Sequence, residues 1–275
     1  MDALLDNIVD PFRYGFMVRA LVVSLLVGVL CPILGSFVVT RGLAFMGDAL
    51  AHAVLPGIVV AFLIGVSPFV AAVPAGVAVA LLIGYLSRRT GISQDTSIGV
   101  LFAGLFALGL ALMTAARDIS VDLEDLLLGQ ILGVTQTDMY VTAGLAAVVL
   151  LVLYAFNKEL VFSSFDPVGA AVVGLPTVWL DYLLLVLLAL VIVIALQAVG
   201  IVLVVAMLVT PAATAYLLVR GFANVMAVGA VLGALAAVVG LYLSFHVNLP
   251  SGPAMTLVAT GAFVVVAATQ RRSAI

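Results

Sequence analysis

Nine long apolar stretches separated by short polar segments dominate this sequence and constrain its fold more than any other feature. They lie at about 16–40, 45–66, 69–87, 96–115, 139–157, 178–197, 200–219, 223–245 and 253–270, with the sixth and seventh split near residues 197–200. A helix crosses a bilayer with about 20 apolar residues. A helix also satisfies its own backbone hydrogen bonds in lipid. The sequence therefore predicts an all-α, polytopic transmembrane bundle of about nine spans, forming a single domain over residues 1–275.

The composition agrees with a lipid environment and excludes several other classes of protein. Hydrophobic residues make up 66% of the chain and charged residues only 8%, whereas about a quarter of an average soluble domain is charged. The net charge of -3 gives no reason to expect a nucleic-acid partner. The single cysteine, Cys31, allows no internal disulfide and no cysteine-rich metal cluster. We expect no covalently bound cofactor.

The distribution of basic residues predicts the orientation of the chain in the membrane. Lys and Arg concentrate in cytoplasmic loops. If the odd-numbered spans end in the cytoplasm, seven of the ten basic residues lie inside and three lie outside. The inner group is Arg41, Arg88, Arg89, Lys158, Arg220, Arg271 and Arg272, and the outer group is Arg13, Arg19 and Arg117. The sequence thus predicts an N-terminus outside and a C-terminus inside.

The segment FMGDALAHAVLPG, residues 45–57, carries the sharpest chemical signal. Asp48 and His52 are four residues apart, so on a helix both side chains lie on one face, about 5–6 Å apart at Cβ. Ionisable side chains inside a membrane are costly and commonly face a cavity or a transport pathway. A carboxylate with an imidazole suits a divalent first-row transition metal. Two ligands alone would hold such an ion loosely, as passage requires.

A purely structural interpretation of the same pair is equally compatible with its spacing. Asp48 could cap the start of the helix, and His52 could simply hydrogen-bond to it. Gly47 before the pair and Pro56-Gly57 after it favour close packing or a broken helix that lines a cavity.

Two polar loops are longer than a hairpin requires. The outer loop, 117–138, has a helical pattern that predicts one or two short interfacial helices. In the inner loop, 157–177, Ser164 and Asp166 can cap a short helix that Gly174 would end. Pro167 suits the first turn of that helix. A short capped helix on the cytoplasmic side would suit a docking element for a soluble partner, although it could also be a simple connector.

Other polar residues near or within the spans have simpler explanations. Thr210, Pro211 and Thr214 interrupt the seventh span, where they could line a path, although a structural kink is the simpler prediction. Asp95 is predicted to cap the fourth span. Asp181 and His246 are predicted to lie at membrane boundaries, Asp181 beside two aromatic residues.

Four segments together resemble a known family. GSFVVTRGLAFMGDALAHAVLPG, SFDPVGAAVVGLP, QAVGIVLVVAMLVTPAATAYLL and LPSGPAMTLVAT are similar, in this order, to the membrane permeases of ABC-type zinc, manganese and iron uptake systems. The resemblance covers nearly the whole chain. It implies one half of a type II importer: a transporter subunit rather than an enzyme.

The resemblance also implies partners and roles for residues. Two permease copies would form the path, an extracytoplasmic metal-binding protein would deliver the ion, and a cytoplasmic ATPase dimer would bind ATP. The chain has no G-x-x-x-x-G-K-S/T segment of its own. Asp48 and His52 match path residues that meet the metal. The helix that couples the permease to the ATPase matches Phe165, Asp166, Pro167, Val168, Gly169, Ala170 and Gly174.

Rival functions predict different features. A siderophore or corrinoid permease would have a wider path without an acid–imidazole pair. A secondary transporter driven by protons or sodium would need no ATPase. A membrane enzyme could use Asp48 and His52 as acid and base, but the spans contain no HExxH motif. A passive scaffold would not explain the two ionisable groups. Asp and His suit manganese, zinc and ferrous iron alike, so the sequence leaves the metal open.

Overall fold

A computed structural model describes residues 14–66, 68–115, 131–247 and 249–270 of the protein. These ranges are almost wholly helical and contain no strand, which confirms the predicted all-α fold. The helices are α1 Gly15–Arg41, α2 Met46–Ala53, α3 Leu55–Leu63, α4 Pro68–Thr90, α5 Gln94–Ala115, α6 Gln136–Ala155, α7 Asn157–Phe165, α8 Pro167–Val172, α9 Thr177–Val199, α10 Ile201–Leu218, α11 Phe222–Val247 and α12 Ser251–Gln270.

Eight helical stretches among the described residues are long and apolar enough to cross a membrane. They correspond to eight of the nine predicted spans, with α2 and α3 together forming the second. The remaining predicted span, 200–219, corresponds to α10, which contributes a shorter apolar stretch, Leu203–Leu218. The polytopic bundle is thus confirmed, whereas the orientation of its termini stays a prediction.

The split between the sixth and seventh spans falls where the sequence places it. α9 ends at Val199 and α10 begins at Ile201. Gly200 between them has φ 82, a conformation that a residue with a Cβ rarely adopts. One continuous apolar run therefore becomes two helices because a glycine permits the turn.

The described residues form two compact units. The first comprises those within 14–36, 131–147 and 194–270. In this unit α10, α11 and α12 pack against one another. α1 approaches α11 closely, since a Cβ on Gly28 would lie 2.7 Å from the carbonyl oxygen of Gly233. Such contacts between small residues are how helices associate in lipid, where no hydrophobic driving force acts between them.

The second unit comprises the described residues of 37–115 and 148–193. Here α2 and α3 both pack against α4 and α5, and α7 packs against α8. Small residues again allow close contact, because a Cβ on Gly109 of α5 would lie 2.8 Å from the Leu55 side chain. This unit contains both the Asp48–His52 pair and the α8 segment.

Several local predictions need correction. Asp95 does not cap α5; the hydroxyl of Ser93 accepts the Thr96 N–H at 3.1 Å instead. Pro211 does not interrupt its span, because α10 runs continuously through it. The inner loop forms two helices, α7 and α8, rather than one.

The predicted interfacial helices of the outer loop fall mostly on residues 116–130, which lie outside the described ranges. Beyond them, Thr135 and Asp138 cap α6 reciprocally. The Asp138 carboxylate accepts the Thr135 N–H at 3.1 Å, and the Thr135 hydroxyl accepts the Asp138 N–H at 3.2 Å.

Candidate metal path and docking helix

Asp48 and His52 lie on the short helix α2, in its first and last turns. His52 Nδ1 is 2.9 Å from the backbone carbonyl oxygen of Asp48 and 3.5 Å from its carboxylate Oδ1. The side chains are 36% exposed for Asp48 and 19% for His52. The predicted pairing of the two groups on one helical face is therefore present, and both remain accessible.

The hydrogen bond of His52 decides which ring nitrogen can bind a metal. A carbonyl oxygen only accepts, so Nδ1 must carry the hydrogen. In the neutral ring Nε2 then keeps its lone pair, which is the form that ligates metals. A backbone carbonyl that holds the second ring nitrogen is a common orienting contact for metal-binding histidines. His52 is thus held in a tautomer that suits coordination.

Two aromatic rings on α5 flank the imidazole. Phe102 and Phe106 stack with their centroids 5.9 Å apart and their planes at 13°. The His52 ring meets both edge-on, at 5.6 Å and 82° to Phe102 and at 5.2 Å and 86° to Phe106. We call these two rings the phenylalanine pair. Edge-to-face contacts of this kind stabilise one ring orientation, so the phenylalanine pair helps to fix the imidazole.

The helix breaks directly after the pair. α2 ends at Ala53, Val54 forms a turn, and α3 begins at Leu55. Pro56, near the start of α3, has no N–H to donate to the carbonyl of His52. The interruption is a single residue, Val54, whose backbone stays close to helical values at φ -79 and ψ -15, and it lies two residues after His52.

The alternative structural role of Asp48 is only half supported. Residue Phe45 occupies the N-cap of α2 and makes no side-chain capping bond, so Asp48 is not the cap. The other half, a hydrogen bond between the two residues, is present through the backbone of Asp48.

A single chain offers few ligands for a metal. No group of three or more His, Cys, Asp or Glu side chains comes together among residues 14–66, 68–115, 131–247 and 249–270. Asp48 and His52 offer two donor groups, fewer than the four that a resident zinc site commonly uses.

The predicted coupling segment forms the six-residue helix α8. The Asp166 carboxylate caps it by accepting the Gly169 N–H at 2.8 Å, and Pro167 occupies its first turn. Gly174 follows the helix with φ 91. Ser164 does not cap it; this residue lies in α7, where its hydroxyl donates to the Leu160 carbonyl at 2.7 Å.

The surface of the α8 segment is apolar and exposed. Val168 is 73% exposed, Val172 is 82% exposed, and Phe165 and Val173 are also exposed, whereas Ala170 is fully buried. Contiguous apolar side chains at a surface mark contact sites for lipid or protein.

Thr210, Pro211 and Thr214 belong to the first unit. The Thr214 hydroxyl donates to the Thr210 carbonyl at 2.7 Å, and Thr214 is almost fully buried. This hydrogen bond is local to α10, whereas the Pro211 carbonyl oxygen faces Gly229 of α11.

Sequence reasoning missed two features of the second unit. The phenylalanine pair is one, and its i, i+4 spacing on α5 was the available signal. The other is Asp181, predicted only as a boundary residue. It lies in the first turns of α9 and accepts hydrogen bonds from Arg41, Arg88 and Gln94.

A multi-span helical bundle with an accessible carboxylate–imidazole pair agrees with one class of protein in particular, the membrane permeases. Comparison with known proteins gives the family. Residues 13–270 match the ABC 3 transport family, and the chain belongs to this family of ABC transporter permeases. The expectation of a membrane subunit rather than an enzyme is confirmed.

Named relatives are similar along almost their whole length. The manganese transport system membrane protein MntC of Halalkalibacterium halodurans is 46% identical over 92% of this chain and 86% of its own. The chelated iron transport system membrane protein YfeD of Yersinia pestis is 40% identical over 96% and 89%. The structure of PsaBC from Streptococcus pneumoniae in complex with Fab superposes with a TM-score of 0.84, at 38% identity over 95% of both chains.

Proposed function

We propose that the protein is the permease subunit of an ATP-driven importer that carries a divalent transition metal, namely manganese, zinc or iron, across the cytoplasmic membrane. The observation that carries this proposal is the geometry of Asp48 and His52. A carboxylate and an imidazole, whose Nδ1 lies 2.9 Å from the Asp48 carbonyl oxygen, lie together on one accessible helix face. Oxygen and nitrogen donors suit these ions, and relatives are named for manganese and for iron.

A second copy of the chain completes the path. One chain brings one carboxylate and one imidazole, whereas two copies around an axis bring two of each. Four donors approach the number that these ions take in proteins. Because each copy holds only half of the set, the ion stays loosely bound and can leave on the other side. Thr210, Pro211 and Thr214 are proposed as further path-lining residues.

ATP is bound by a partner subunit, a cytoplasmic ATPase dimer that docks on α8. The segment supports this role because its exposed valines offer an apolar contact, while Asp166 and Gly169 fix the shape of the helix. In the proposed orientation, with the N-terminus outside and the C-terminus inside, α8 faces the cytoplasm. An extracytoplasmic metal-binding protein delivers the ion on the opposite side.

Uptake by the reconstituted complex tests this function. The permease is placed with its ATPase and binding protein in lipid vesicles, and uptake of manganese, zinc and ferrous iron is measured separately. We expect ATP-dependent uptake of at least one ion. Absence of uptake for all three, or uptake driven by a proton or sodium gradient without ATP, would overturn the proposal and favour a siderophore-type permease or a secondary transporter.

A further inference from the structure

The carboxylate of Asp181 joins residues of three other helices directly and a residue of a fourth helix through Arg41. Asp181 of α9 accepts a hydrogen bond from Arg41 at the end of α1, through Oδ1. Its Oδ2 accepts from Arg88 of α4 at 2.7 Å and from Gln94 of α5 at 2.9 Å. Arg41 also donates through its Nε to the Ser164 hydroxyl of α7 at 3.0 Å. We call these five residues the Asp181 network.

The network is sheltered enough to have energetic weight. The side chains of Arg41 and Asp181 are only 12% and 18% exposed, whereas Arg88 is 37% exposed. Charge-assisted hydrogen bonds are stronger than neutral ones, and shelter from water strengthens them further. Removing the one carboxylate would leave two guanidinium groups close together without a counter-ion, a costly arrangement in a partly buried site.

One arm of the network reaches the docking helix. Ser164 lies two residues before Asp166, the N-cap of α8, and α7 packs against α8. The Ser164 hydroxyl both donates to the Leu160 carbonyl and accepts from Arg41. A displacement of α8 by a partner would therefore change the geometry of the Ser164–Arg41 hydrogen bond before that of the rest of the network.

Arg41 and Gln94 connect the Asp181 network to the helices around Asp48 and His52. Arg41 is the last residue of α1, and the chain then turns at Gly42, with φ 68, into the helix that carries Asp48 and His52. Gln94 is the first residue of α5, the helix that carries the phenylalanine pair. The same carboxylate therefore holds the first residue of α5 and the last residue before the turn that leads into α2.

We propose that Asp181 is a positioning residue that couples the α8 docking helix to the Asp48–His52 pair through its contacts with Arg41 and Gln94. Movement of α8 changes the Ser164–Arg41 contact, and Asp181 transmits the change to α2 and α5. The inference rests on the proposed function of the permease, since it presumes that α8 receives the ATPase and that the pair meets the metal.

The most discriminating variant is Ser164→Ala, because a neighbouring serine provides a matched control. Ser163 and Ser164 both donate a hydrogen bond to the Leu160 carbonyl. Of the two, Ser164 is the one whose hydroxyl also accepts a hydrogen bond from Arg41. Alanine is the best helix former, so α7 is preserved in either variant. Ser164→Ala should lower the ratio of metal-stimulated to basal ATP hydrolysis several-fold, whereas Ser163→Ala should leave it near the wild-type value.

Asp181→Asn tests the central carboxylate of the Asp181 network. The assembled complex of permease, ATPase and binding protein is reconstituted in vesicles, and its amount is determined before activity is measured. We expect metal uptake per assembled complex to fall about tenfold or more, because a neutral amide no longer makes charge-assisted hydrogen bonds to both guanidinium groups. Basal ATP hydrolysis by the assembled complex should persist, because the ATPase site is on another subunit. A merely structural role would instead reduce the amount of complex and leave the stimulation ratio unchanged.

The outcomes separate this inference from the proposed function. Failure of the wild-type complex to take up any metal would remove the proposed function. Normal wild-type uptake with unchanged stimulation in both Ser164→Ala and Asp181→Asn would overturn the role of the network alone. Equal loss in Ser163→Ala and Ser164→Ala would also overturn it, since the effect would then belong to α7. If the complex does not assemble with the Asp181→Asn permease, the comparison of Ser163→Ala with Ser164→Ala decides whether the network has the proposed role.

Discussion

The imidazole of His52 lies edge-on to the ring of Phe106, with centroids 5.2 Å apart and planes at 86°. The contact joins α2, which carries Asp48 and His52, to α5. It restrains the ring from the side, while the Asp48 carbonyl restrains it through Nδ1. A ligand fixed in this way loses less conformational freedom when it binds an ion.

Phe106→Leu should therefore weaken metal transport without removing it. The substitution keeps an apolar side chain but loses the edge-to-face contact, which contributes about 0.5–1.5 kcal/mol. We expect the metal concentration for half-maximal uptake to rise roughly two- to tenfold. Phe62→Leu, at an exposed position on α3, is the control and should behave like the wild type. Equal effects of the two variants would show that the ring beside His52 has no special role.

Two substitutions of Asp166 separate the effect of its capping hydrogen bond from the effect of its charge. Asp166→Ala removes the capping bond to Gly169, which costs about 0.5–2 kcal/mol, and should loosen α8 and lower ATP-driven uptake. Asparagine caps about as well as aspartate, so Asp166→Asn should retain most of the activity. Activity is measured as uptake per ATP hydrolysed. Loss of activity in the asparagine variant would mean that the charge of Asp166, rather than the cap, is required.

Close packing of small residues predicts which glycines tolerate a methyl group. Gly233→Ala should destabilise the protein, because its Cβ would collide with the backbone of Gly28 across the contact between α1 and α11. Gly144→Ala is the matched control, since among the described residues no atom outside the adjoining turns of its own helix lies within 4 Å of the corresponding Cβ. In the control, alanine should be neutral or stabilising by up to about 1 kcal/mol. Thermal unfolding in detergent measures both, and equal midpoints would contradict the packing argument.

Features that depend on local sequence were predictable. The lengths of the apolar runs locate the spans, because crossing a bilayer requires a set number of helical residues. The α8 helix follows from Asp166, Pro167 and Gly174, each of which acts on its own neighbours. The facing of Asp48 and His52 follows from the period of the helix.

Features that depend on long-range packing could not be predicted from the sequence. Asp181 is hydrogen-bonded to Arg88 and Arg41, which are 93 and 140 residues away in the chain. No local sequence pattern predicts either hydrogen bond. The capping role expected for Asp95 failed because Ser93, two residues earlier, accepts the bond. Pro211 costs α10 a hydrogen bond without ending it, since tertiary packing and neighbouring hydrogen bonds hold the helix.

The initial rate of metal uptake in vesicles, compared between Asp48→Ala, His52→Ala and His246→Ala, tests the central claim most directly. His246 is a matched control because its Nδ1 also lies near the carbonyl of the residue four positions earlier, at 3.0 Å from that of Tyr242. We predict uptake near background for Asp48→Ala and His52→Ala, with wild-type amounts of assembled complex, and near-normal uptake for His246→Ala. Wild-type rates in the first two variants would contradict a metal path through this pair.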